Sequence, residues 1–140
     1  MVGLILLACA AKVQGVVGVQ GPRVQLTEPD GSSWNLVYSP EDIELRKLEE
    51  CTLEVEGRRM GRRVTVEDWR VLASAQGSTP YVGVLRQHGS NLIVEDRNSG
   101  QVVILKGDAK LADLVGHTVL ISGFVVGPQV VQVMGVTVLD

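Results

Sequence analysis

The chain is written twice. LEECTLEVEG at 48–57 aligns with LVGHTVLISG at 114–123, and VTVEDWRVL at 64–72 aligns with VQVMGVTVL at 131–139. VGV occurs at 17–19 and again at 82–84. Identities are few, but the apolar positions and the glycines keep step. Self-similarity of this kind means one supersecondary unit used twice. Each copy is about 55 to 60 residues, a size at which a single core is marginal. Two units that support each other are therefore expected.

Each copy predicts the same string of elements. In the first, strands over 16–19 and 24–27 lead through Pro29-Asp30-Gly31 to a strand over 34–38. Ser39-Pro40-Glu41-Asp42 reads as a helix start, with a capping hydroxyl, proline in the first turn and acids at the positive end of the dipole. Leu45 and Leu48 share one face of that helix. A strand over 52–56 then turns at a group of arginines into a strand over 64–72. The second copy predicts strands over 81–85, 92–95 and 101–105. Asp108 caps a helix carrying Leu111 and Leu114, Gly116 ends it, and a hairpin over 118–139 turns at Gly127-Pro128.

The last strand of each copy shares a defect in its alternation. Val64 and Val66 are followed by Trp69 and Val71, a slip of one residue at Glu67-Asp68. Val131 and Val133 are followed by Val136 and Val138, with the slip at Met134-Gly135. One extra residue is a β-bulge, which bends a strand. A bend at the same place twice predicts a small closed barrel. The order strand-strand-strand-helix-strand-strand is that of the OB-fold. The expected class is all-β with short helices, as two tandem OB-like five-stranded barrels. The expected boundaries are a leader-like segment at 1–14, barrels at 15–73 and 81–140, and a small-residue linker at 74–80.

Val82-Gly83-Val84, Asp96, Gly100, Val103, Leu105, Leu111, Leu114-Val115-Gly116 and Ile121-Ser122-Gly123 form a pattern across most of residues 80–140. Through it the chain resembles small exported bacterial OB-fold proteins, including lipoproteins of unknown function, with the stress-induced periplasmic OB-fold proteins as cousins. The resemblance implies fold and export. It carries over no ligand, residue by residue. In the first copy Glu49-Glu50 stand where the second has Val115-Gly116.

Residues 2–8 are apolar apart from Gly3. The run is too short to span a bilayer, which takes about 20 residues, and it suits the apolar region of a signal peptide. Leu6-Leu7-Ala8-Cys9 resembles a bacterial lipobox. That resemblance implies cleavage before Cys9, acylation of Cys9 and an envelope location with a lipid anchor. No Lys or Arg precedes the run, and Leu7 is bulky for its place. The alternative is a retained N-terminal strand with an inert cysteine, and a cytoplasmic protein. Cys9 and Cys51 are too few for a disulfide framework or a four-ligand zinc site.

The candidate ligand surface is cationic. Arg58, Arg59, Arg62 and Arg63 surround Gly61 between the last two strands of the first copy, and Arg23 lies in the turn between its first two. These are the turns that flank OB ligand sites, and five arginines converging on one mouth would suit phosphate or carboxylate. The competing expectation is a solvated hairpin, with Glu54, Glu56, Glu67 and Asp68 pairing the arginines. Formal net charge is −3, so bulk attraction to nucleic acid is excluded and only a local patch remains. Trp34 and Trp69 align with valines in the second copy and are expected in the core, which leaves no aromatic platform for bases. A second surface is apolar. Val103 and Leu105 should face inward, so Val102 and Ile104 point out, where the first copy has Ser33 and Asn35. The other copy or a partner chain is expected to cover them.

No metal-ligand spacing joins His88 or His117 to a cysteine or to the other histidine. No phosphate-loop signature occurs, and no base stands beside Cys51 in the sequence. These readings predict a non-catalytic binding protein of the cell envelope, without cofactor, that takes an anionic ligand or a protein partner. The alternatives are a cytoplasmic OB protein that binds single-stranded nucleic acid and a structural adaptor in an envelope assembly.

Overall fold

A computed structural model describes residues 9–39, 44–107 and 109–140. The protein is all-β. The first sheet holds β1 (Cys9–Gln20), β2 (Arg23–Thr27), β3 (Ser33–Val37), β4 (Thr52–Met60) and β5 (Arg63–Ala73). The second holds β6 (Tyr81–His88), β7 (Asn91–Glu95), β8 (Val102–Lys106), β9 (Thr118–Gly127) and β10 (Val130–Val138). In the second sheet β6 pairs with β7 and β9, β7 with β8, β9 with β10, and β10 runs parallel to β8, which closes a five-stranded barrel. The first sheet follows the same order. β1 pairs with β2 and β4, β2 with β3, β4 with β5, and β5 runs parallel to β3.

Alternation builds these strands. Trp34 and Leu36 of β3 are buried between exposed or half-buried neighbours, and Val103 and Leu105 of β8 follow suit. Their inward placement agrees with the sequence expectation. The bulges also fall where the alternation slips. Glu56 faces Asp68 and Gly57 faces Val66, so Glu67 is the extra residue. Val133 faces Gly123 and Gly135 faces Ser122, so Met134 is the extra residue.

At the bulge of each half a glycine sits where a Cβ would clash with backbone. A Cβ on Gly57 would lie 1.8 Å from the Thr65 carbonyl oxygen, and one on Gly123 would lie 2.1 Å from that of Gln132. A second pair sits in the first strands. A Cβ on Gly83 would meet Glu95 O at 2.1 Å, and one on Gly15 would meet Thr27 O at 2.6 Å. Nothing lies within 4 Å of a Cβ on Gly18. The structural counterpart of Gly83 is thus Gly15, and matching the two VGV triplets misaligns the first strands. The reason is contact across the sheet, which a three-residue word does not encode.

The helices are shorter than expected. Leu45–Leu48 and Ala109–Leu114 are 3-10 turns. The proposed start at Pro40-Glu41-Asp42 and the proposed cap Asp108 lie outside the described residues. Glu44 caps the first turn by accepting from Arg46 N, and Tyr38 donates its hydroxyl to the same carboxylate at 2.7 Å. Burial and that hydrogen bond push the Tyr38 phenol up to about 12. A single tight turn is enough to put Leu45 and Leu48 wholly into the first core.

The N-terminal boundary also moves. β1 begins at Cys9 and pairs with β4 from Cys9 opposite Arg59 to Val16 opposite Thr52. Residues 9–14, read from sequence as part of a leader, therefore belong to the first sheet, and Val13 is in its core. Residues 2–8 lie outside the described residues.

The halves share apolar packing. Val82, Leu120 and Leu139, from the second half of the chain, join the core of the first. Glu44 N donates to Leu139 O, Asn98 Nδ2 donates to Val71 O, and Arg97 pairs with Asp68 at 2.8 Å while stacking 3.9 Å over Trp69. Val102 and Ile104 do not provide this junction. Val102 is 42% exposed, and Ile104 is half-buried in the ladder opposite Ile93 and Val130. The expectation that the other copy covers this face is corrected, because the halves meet through β5, the 96–98 turn and the chain end.

Candidate cationic site at one end of the first sheet

The β4–β5 hairpin turns at Gly61, whose φ of +62° suits glycine. Met60 and Arg63 face each other across it, and Met60 is 53% exposed. The four arginines around Gly61 have different fates. Arg58 points outward, where its Nε lies 3.2 Å from Glu67 Oε1 and both side chains are well exposed. Such a pair contributes only about 0–1 kcal/mol. Arg59 lies opposite Cys9 on β1. Its guanidinium stands 4.9 Å from the centroid of the Trp34 ring, and its Nε donates to Gly61 O. Arg62 also stacks on Trp34 at 4.9 Å. The parallel register of β3 with β5 brings it there, for Arg62 O accepts from Asn35 N and Asn35 faces Arg63.

Among the described residues Arg58 is the one of the four arginines around Gly61 with a carboxylate in salt-bridge reach. The other acids expected to pair with them have different partners. Glu54 is buried and accepts from Gln14, with Lys12 at 3.4 Å and Arg70 at 3.7 Å. Glu56 takes Lys12, and Asp68 takes Arg97. Hydrogen bonding to Glu56, together with Glu54, raises the Lys12 pKa above its ordinary value. Asp30, at the β2–β3 turn, is held below the usual carboxylate range chiefly by the Ser32 N–H, with a smaller contribution from the Arg62 charge.

Arg23 does not join this group. It faces Gln20 at one end of β1, whereas Arg59 faces Cys9 at the other. The expected convergence of five arginines reduces to the β4–β5 turn. Trp34 is only 6% exposed and lies in the first core, as its alignment with Val103 suggests. Sequence reasoning missed its second position, beneath two guanidiniums. The inward parity of Trp34 was readable, but the register that sets β3 beside β5 was not.

A cavity of about 630 Å³ opens beside the hairpin. Cys9, Lys12, Val13, Glu28, Trp34, Arg59 and Met60 are among the residues lining it. Cys9 is exposed, while Cys51 is buried with its thiol pKa raised by desolvation. Comparisons with protein-family models, with curated proteins and with solved structures return no match. Among the described residues no three His, Cys, Asp or Glu side chains gather as metal ligands, and no helix is long and apolar enough to cross a membrane. The corresponding turn of the second barrel is of the opposite character. Phe124, Val125 and Val126 are each half or more exposed, and no charge lies between them and Gln129.

Proposed function

We propose a non-catalytic binding protein of the bacterial cell envelope, built from two OB-type barrels in tandem and anchored as a lipoprotein through Cys9. The β4–β5 turn takes an anionic ligand or an acidic protein partner. The observation that carries this reading is the stacking of Arg59 and Arg62 on a buried tryptophan, neither of them within salt-bridge distance of a carboxylate among the described residues. Arginines that serve only solubility extend into water, as Arg58 does. A stacked guanidinium is oriented in advance, so less is lost when its fork closes on an oxyanion. The pairing order of the strands, with its parallel third and fifth members in each half, supports the OB assignment.

The envelope reading rests on Leu6-Leu7-Ala8-Cys9. Cys9 is exposed and is the first described residue of β1, and every described rung of the β1–β4 ladder, from Cys9 opposite Arg59 to Val16 opposite Thr52, lies after the proposed cleavage point. The test is to express the full-length gene in a bacterial host and weigh the mature N-terminus. A diacylated or triacylated Cys9 is the expected result. An intact chain starting at Met1 would remove the anchor and the envelope location, and would reopen single-stranded nucleic acid as ligand. The exposed Phe124-Val125-Val126 turn favours a second reading, the adaptor. Under it, changing Arg58, Arg59, Arg62 and Arg63 together to serine leaves binding to every envelope fraction unaltered.

A further inference from the structure

We infer that the arginine turn of the first sheet lies on the membrane that holds Cys9, and that the anion it takes is the headgroup layer of anionic phospholipids. The inference rests on the anionic-ligand and lipid-anchor readings above and names the partner of that turn.

The register of β1 with β4 carries the argument. Cys9 is itself a rung of the ladder, directly opposite Arg59. Side chains that face each other across such a pair stand about 5 Å apart. Cleavage before Cys9 therefore leaves no linker between the anchored residue and the sheet. A domain on a flexible linker stands off its membrane and turns freely. Here the acyl chains enter the hydrocarbon from a residue paired to Arg59, so the backbone brings the β4–β5 turn to headgroup level with them. Anchor and turn also share one cavity, which Cys9, Arg59, Met60 and Gly61 help to line.

The chemistry of the turn suits that surface. From 58 to 63 the chain carries four arginines and no acid, and every one of these residues is exposed. Arg58 is paired with Glu67, which leaves Arg59, Arg62 and Arg63 for headgroups. Glu28 lines the same cavity and Asp30 stands within the field of Arg62, so both oppose the arginines in part. Asp30 already accepts from Ser32 N. An arginine fork donates two parallel bonds to a phosphodiester. Met60, 53% exposed in the midst of the arginines, supplies an apolar side chain for the boundary between headgroups and acyl chains. The acyl chains fix where the protein is held, and the cationic turn, as a second signal, fixes how the first sheet is oriented. A soluble anion would use the arginines, but neither Met60 nor their place beside the anchor.

Amide hydrogen exchange on the acylated protein tests this, on vesicles of phosphatidylcholine alone or with phosphatidylglycerol. Amides of 58–63 are expected to exchange more slowly on the anionic vesicles than on the neutral ones. Salt at about 1 M, where screening reaches only about 3 Å, should remove the difference. The anchor is the same on both vesicles, so the difference reports the turn alone. Cys9→Ser removes the acyl chains and lets affinity be measured on the full-length chain. That protein should sediment with the anionic vesicles in preference to the neutral ones. Changing Arg59, Arg62 and Arg63 together to serine should weaken the preference by more than about tenfold, since each arginine near the surface contributes about fivefold. A turn that exchanges alike on both vesicles, or a triple variant that sediments like its parent, overturns the membrane inference. A mature Cys9 without acyl chains overturns it as well. Inorganic phosphate, titrated into the Cys9→Ser protein by calorimetry, separates this inference from the wider reading. Arginine-dependent phosphate binding without a preference for anionic vesicles overturns the membrane contact and leaves the anionic-ligand reading standing. Binding of neither kind ends both. Should the triple variant fail to fold, hydrogen exchange on the parent protein decides the matter.

Discussion

The β4–β5 and β9–β10 hairpins occupy the same place in their two sheets and present opposite chemistry. Both pivot on a bulge glycine whose Cβ would run into a backbone carbonyl, Gly57 in one and Gly123 in the other. Beyond that glycine the first continues into arginines around Gly61, and the second into exposed Phe124, Val125 and Val126. The backbone frame is constrained by contact, while the side chains of the tip are free to vary, in the first hairpin even where β4 still pairs with β1 as far as Arg59 opposite Cys9. What stands beneath the tip decides whether it is organised. Trp34 gives two arginines a surface to lie on, and at the matching position Val103 is too small to do so.

Three perturbations sharpen or break that comparison. The largest effect is expected from alanine at the bulge glycines. Gly57→Ala and Gly123→Ala each drive a Cβ into a backbone carbonyl and should cost about 3 kcal/mol or more, within the range of severe single substitutions. Gly57 should be the worse, given its closer approach of 1.8 Å. Urea unfolding measures both, and tolerance at either site would end the claim that the two frames are equivalent.

Next comes Leu139→Ala. Leu139 follows β10 of the second barrel yet is fully buried in the core of the first sheet. Its truncation should cost about 2–5 kcal/mol, as for a buried leucine. The loss should appear in one shared unfolding transition. Two resolved transitions in the parent protein would show the halves to be independent. The smallest effect is expected from Val125→Arg, which copies Arg59 onto the second hairpin. Val125 is 63% exposed, so stability should change by less than about 0.5 kcal/mol. No anion affinity should appear, since no tryptophan underlies the new arginine. A gain measured by calorimetry would mean that the arginines act without their platform.

Much of the frame was legible in the sequence. The valine alternation located the strand cores, and its slips at Glu67-Asp68 and Met134-Gly135 located one bulge in each half, because side-chain parity is a local property with period two; the further register shifts beside Thr52 and Val130 left no such mark. The arginine turn and the apolar turn were readable as turns for the same reason. Strand ends were less legible. β4 continues past Glu56 to Met60, and β1 includes residues 9–15, because the two strands supply hydrogen bonds to each other from Cys9 opposite Arg59 onward, and charged or small residues there send no strand signal of their own.

The rest was decided by tertiary structure. Arg62 reaches Trp34 only because β5 lies parallel to β3, and Arg23 is separated from Arg59 only because β1 runs between their turns. Leu139, not Val102 and Ile104, joins the halves because the chain end is carried back over the first core. Sequence pattern specifies which face a residue takes within its own strand. Which distant strand lies beside that face depends on contacts across the sheet, and that choice placed a tryptophan under two arginines.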